Sequence, residues 1–199
     1  MVEKLRAAIV SQSGFRATVW VCLIVAFLFV VMRTWVRLKV FKRIMDDDVF
    51  VFIAITMLFI TAILWQWFLS DMYELLDLSS GIIAFPPPTF IEDVTRYLRA
   101  SLGIILLYNS ALWSVKFSFL LFFRRLGQNV RGIKTQWWCT FAFTVVTYIV
   151  IIATVQFRCL VWDLSYIITE CVKSDAIIFQ RATLINNCIM DVLTDIASE

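Results

Sequence analysis

Val49–Ser70 reads VFVFIAITMLFITAILWQWFLS, 22 residues without a single charge. At 1.5 Å of rise per residue a helix of that length reaches about 33 Å, enough to cross a hydrocarbon core of about 30 Å. A helix suits such a run because its backbone satisfies its own hydrogen bonds where no water is available. Three further runs of the same kind flank it: Ala17–Met32, Ala100–Phe123 and Thr135–Phe157. The first and last carry no charge, and the third carries only Lys116. The chain therefore reads as an integral membrane protein, an all-α polytopic transmembrane helix bundle.

Composition agrees. Apolar residues make up 61% of the 199 residues and charged ones 17%, against about 45–50% and 25% in soluble domains. The net charge of +3 sits in membrane-flanking loops, so it reads as a topology signal and nucleic acid is not an expected partner. The first run resembles a signal peptide in its flanking Lys4, Arg6 and Arg16. It is followed directly by Arg33 and Arg37, with no small-residue cleavage site, and is read as a retained helix with Arg33 snorkelling to the interface.

Loop charges set the orientation. Arg33, Arg37, Lys39, Lys42 and Arg43 follow the first run, and Arg124, Arg125, Arg131 and Lys134 follow the third. Between runs two and three, Arg96 and Arg99 are outnumbered by Asp71, Glu74, Asp77, Glu92 and Asp93. The positive-inside rule puts the first and third loops in the cytoplasm and the N-terminus outside or in a lumen. Pro86-Pro87-Pro88 ends any helix in the second loop, and Asp71–Leu78 is expected as a short separate amphipathic piece on the outer surface. Beyond Phe157 an outer segment, Arg158–Asp175, precedes a fifth helical pattern, Ala176–Ala197, interrupted by Gln180, Arg181, Asn186, Asn187, Asp191 and Asp195. Polar groups in a spanning helix normally face the bundle interior or a water-filled cavity. The expected helices are thus about 17–36, 49–70, 97–123, 135–157 and 176–197, in one transmembrane domain over 1–199.

Four blocks carry a family resemblance. They are Arg33-Thr34-Trp35-Val36-Arg37 with Asp46-Asp47-Asp48, the third-helix end from Lys116 through Ser118, Leu120 and Phe122 to Arg124-Arg125, the outer Cys159, Trp162, Asp163 and Cys171, and Asn187 with Asp191, Thr194 and Asp195. In this order they resemble the fungal rhodopsin-domain integral membrane family. Phe123 stands where that family has Tyr, no Pro follows Cys159, and no stretch corresponds to helices six and seven. The resemblance implies a seven-helix, receptor-like architecture of which about five helices are present. It implies a sensor of an unknown small molecule or surface cue, with a G protein as partner of the full-length form. A transporter, or a membrane accessory of a biosynthetic pathway, is the alternative. The expected location is the plasma membrane or an endomembrane, in contact with membrane lipid.

Lys116 has two readings. Its stem can snorkel toward the inner interface, about 12 Å away at Arg124. It can also pair with Asp191 or Asp195, which an inward-running fifth helix brings to the same depth, and that reading is preferred because a charge near the bilayer centre costs about 2.5–3.5 kcal/mol if uncompensated. Asn187, one turn above Asp191, would join Lys116, Asp191 and Asp195 in a buried polar cluster. The two carboxylates could otherwise serve intramembrane acid–base chemistry or cation passage.

With no His in the chain, His triads and His metal sites are excluded, and no phosphate-binding glycine loop occurs. No enzyme activity, metal or cofactor is expected; a retinal Schiff base on Lys116 is disfavoured, since retinal proteins carry that lysine on their last helix. Cys159 and Cys171, in an outer segment expected to be oxidising, are expected to form a disulfide, with two free thiols as the alternative. Cys22, Cys139 and Cys188 read as small packing residues. Asp46, Asp47 and Asp48 read as caps of the second helix.

Overall fold

The computed structural model describes residues 11–42, 46–79, 90–126, 133–155, 157 and 174–198. They form α1 (Gln12–Phe41), α2 (Asp46–Ser79), α3 (Phe90–Leu126), α4 (Ile133–Ala153) and α5 (Ser174–Ser198). The fold is an all-α bundle, with no strand among the described residues. Four of the helices, α1 to α4, are long and apolar enough to cross a membrane; α5 is not among them.

Local chemistry explains where the helices begin and end. Ser11 caps α1 by accepting a hydrogen bond from the Gly14 N–H at 3.2 Å, so the helix starts five residues before the apolar run. It closes on Lys42 in the left-handed region, at φ 50°. The Asp71–Leu78 stretch is not a separate piece: α2 runs through it without a break. No Gly or Pro interrupts that stretch, and its apolar residues keep a helical spacing. The α3 helix starts at Phe90, just past the prolines, with Glu92 and Asp93 in its first turn and Arg124 and Arg125 in its last. Each charge complements the end of the helix dipole it occupies. The α4 helix ends at Ala153, short of the apolar run's end at Phe157, and relaxes into a turn through Thr154.

Consecutive helices pack on one another, most extensively α2 on α3, with α1 against α2 and α5 against α4. Small residues are prominent among the buried positions of these helices: Ala54 and Ala62 on α2, and Ala111, Ser114 and Ser118 on α3. Small side chains let backbones approach closely, which is how helices gain contact in lipid, where hydrophobic exclusion from water is absent. Trp113, Leu69 and Ile151 complete the core. Outward faces carry Phe27, Leu28, Phe29 and Met32 on α1 and Ile178, Leu184 and Ile185 on α5, as lipid-facing surfaces require. Cys22, Cys139 and Cys188 are free and exposed on the bundle rather than packed inside it. The Cys159 and Cys171 pairing lies outside the described residues.

Candidate functional site

Two charged clusters occupy one end of the bundle, on opposite sides of α3. The first joins α1, α2 and α3. Arg33 and Arg37, four apart, share one face of α1 and meet the first turn of α2. Arg33 Nη2 lies 3.2 Å from Asp47 Oδ2 and its Nε 3.6 Å from Asp48 Oδ1. Arg37 Nη1 lies 2.9 Å from Asp48 Oδ1 and also pairs with Asp47 Oδ2. Arg37, Asp47 and Asp48 are buried. Two positive and two negative groups balance, the condition for holding ions in a dry interior. Ser118 of α3 completes the arrangement: its hydroxyl donates to the Asp47 carbonyl at 2.8 Å and accepts from Arg33 Nη2 at 3.1 Å. Phe119 and Phe122 close it over, with the Arg33 and Arg37 guanidinium carbons 5.7 and 5.3 Å from their ring centroids.

Asp47 and Asp48, expected to serve the first turn of α2 as caps, also neutralise the two arginines of α1. A guanidinium offers these carboxylates a formal opposite charge as well as N–H donors, and burial strengthens that attraction. Arg33, expected to snorkel, turns inward for the same reason. The four-residue spacing of Arg33 and Arg37 just before an acidic triplet was the available signal; those arginines also fit the topology pattern, which concealed it.

The second cluster joins α3 to α5. Lys116 Nζ lies 2.7 Å from Asp191 Oδ1 and 2.8 Å from Asp195 Oδ1. It also donates to the Asp191 carbonyl at 2.8 Å and to Thr194 Oγ1 at 2.7 Å. Thr194 is buried; it was expected in the family-like block of the fifth helix but not among the partners of Lys116, although its position three residues after Asp191 puts it on that face. Asn187 is not bonded into the cluster; its Oδ1 is buried without a hydrogen-bond partner among the described residues. Nor is the cluster closed. The Lys116 side chain is 15% exposed, but those of Asp191 and Asp195 are 44% and 63% exposed, because α5 packs along α4 and leaves this edge open. A cleft of ≈ 230 Å³ lined by Lys116, Phe119, Leu120, Phe123, Thr144, Thr194 and Asp195 lies beside it.

The end of α3 is also fixed to α4. The Trp137 indole N–H donates to the Leu120 carbonyl at 2.7 Å, and the ring stacks on Phe141 at 5.1 Å and 17°. The Arg124 guanidinium carbon sits 5.0 Å from the Trp137 centroid. Among the described residues no group of His, Cys, Asp and Glu is arranged to hold a metal ion. The arrangement can couple helices electrostatically.

The model of the family described as "Fungal rhodopsin domain" matches residues 32–197. That interval contains both clusters. No curated protein and no solved structure matches the chain.

Proposed function

Because the chain belongs to the fungal rhodopsin domain family, a family of membrane proteins, we propose that it is a receptor-type sensor that carries a signal across the bilayer. It binds an unidentified small molecule or surface cue and addresses a G protein on the inner side. The observation that carries this reading is the tie of Lys116 to Asp191, Thr194 and Asp195. It links α5, which packs along α4, to the same turn of α3 that Ser118 links to α1 and α2. A shift of α5 would thus reach the last turn of α3, where Arg124 and Arg125 stand at the membrane face. In this reading the N-terminus is outside or lumenal, and the membrane is the plasma membrane or an endomembrane.

The test is nucleotide exchange on a fungal Gα subunit in membranes containing the protein. Exchange above that of empty membranes, altered by Lys116→Met, supports the sensor. Exchange equal to that of empty membranes for both forms rejects it. Transport is a second reading, favoured by the cleft that Asp195 lines. Solute accumulation in sealed vesicles that depends on Asp191 and Asp195 would select it.

A further inference from the structure

We propose that the basic, tryptophan-bearing rim at this end of the bundle binds the headgroup phosphate of an acidic phospholipid, with Arg124 and Lys134 as the central contacts. The inference is independent of whether the protein signals. It begins with how the cations here are used. Arg33, Arg37 and Lys116, set back from the helix ends, each have carboxylates within ion-pair distance. Lys39, Lys42, Arg124 and Lys134, at or near the ends, are exposed and have no ion pair among the described residues. The deep cations are thus neutralised from within the protein, and these four rim cations are left to a charge from outside it.

Arg124 is the best prepared of them. Its guanidinium is held over the Trp137 ring, and that ring is fixed in turn by its bond to the Leu120 carbonyl and by Phe141. A guanidinium held over an aromatic ring by its carbon leaves N–H donors for an outside partner, and its planar fork can take two phosphate oxygens at once. Lys134 opens α4, three residues before Trp137 and four before Trp138. Trp138 is 59% exposed and meets Trp137 edge-on at 5.1 Å. Exposed indoles favour the headgroup level of a bilayer, so the ring marks the depth at which a lipid phosphate lies. On α1, Lys39 lies over Trp35 at 5.0 Å, repeating the combination of cation and indole at the same end. The occupant must be anionic, must lie at the membrane surface, and must present phosphate oxygens. An acidic phospholipid meets all three conditions.

The full chain reconstituted in phosphatidylcholine bilayers, with spin-labelled phosphatidylserine or phosphatidylcholine as probe, tests the site. The wild type should select the serine lipid over the choline lipid. Arg124→Gln with Lys134→Gln should reduce that selectivity by about fivefold for each charge removed. Arg124→Lys with Lys134→Arg, which keeps both charges, should retain most of it and shows that the bundle tolerates change at these exposed positions. Equal selectivity in the wild type and the Gln variant would overturn the proposal. So would displacement of the labelled lipid by inorganic phosphate at physiological ionic strength, which would mark a site for a free anion. Loss of G-protein exchange in the Gln variant with lipid selectivity unchanged would assign the rim to a protein partner and overturn it as well.

Discussion

Lys116 and Ser118, two positions apart on α3, serve opposite sides of the bundle. Lys116 reaches Asp191 and Asp195 on α5, while Ser118 bonds to Asp47 on α2 and Arg33 on α1. Two residues turn a helix by about 200°, so one turn of α3 can address both flanks without bending. Any rotation or slide of α3 strains both clusters together. This gives that end of the bundle one shared mechanical element.

Coupling across the α3–α5 side is testable by a double-mutant cycle. Lys116→Met leaves two carboxylates without their ammonium and should lower stability in mild detergent by about 1–3 kcal/mol. Asp191→Leu alone should cost less, because Asp195 continues to hold the lysine. The double variant should lose less than the sum of the two, since an apolar pair replaces an ionic one. Strictly additive losses would mean that the lysine gains little from these partners.

The α1–α2 side should be more sensitive. Arg37, Asp47 and Asp48 are buried, so Asp47→Ala strands part of two guanidinium charges and should cost about 3–5 kcal/mol. Ser118→Ala removes one donated and one accepted bond and should cost about 1–2 kcal/mol. Thermal unfolding followed by circular dichroism gives the ranking; a milder effect for Asp47→Ala than for Asp191→Leu would contradict it.

These two sides were unequally legible in the sequence. The spans could be read because residues 49–70 and their counterparts carry almost no charge, and lipid admits few other patterns. The level of Lys116 with Asp191 followed from rise per residue alone, since the two helices run the same way. Arg33 and Arg37 were harder, because a basic residue beside a span has two physical uses, as an orientation signal and as an ion-pair partner, and spacing alone does not separate them. Ser118 could not be assigned without knowing how α3 is rotated against α2. The openness around Asp195 depends on which helix α5 leans on, which no residue pattern in α5 specifies. The C-terminal end of α2 and the N-terminal end of α3 extend beyond the apolar runs, because hydropathy marks only the part of a helix that lies in lipid.

Trp137→Phe separates the indole's bond from its stacking. Phenylalanine keeps a ring against Phe141 but cannot donate to the Leu120 carbonyl. The cost should be about 1 kcal/mol, near the usual worth of one buried hydrogen bond. Trp137→Ala, which also removes the stack and the support under Arg124, should cost about 3–5 kcal/mol. Equal losses for the two variants would show that the bond, not the ring, fixes this end of α3.

The sharpest check on the whole arrangement is where the second helix leaves the membrane. The α2 helix has 34 residues, hence a length of about 51 Å, against a core of about 30 Å. Its first turn is held by Arg33 and Arg37 beside the basic rim, so the excess of about 20 Å must emerge at the other end. Counting about 20 residues from Asp47 puts the exit near Trp67, which is 70% exposed and suited to the interface. Glu74 is exposed and one to two turns further on, so it should stand in water while remaining helical. In a background without native cysteines, Glu74→Cys should react with a membrane-impermeant maleimide on intact cells or sealed vesicles of the outer or lumenal sense. Lys134→Cys, at the opposite end, should react only after permeabilisation. Reaction of Lys134→Cys before permeabilisation would invert the topology, and protection of Glu74→Cys from both sides would place the extended end of α2 within lipid or protein.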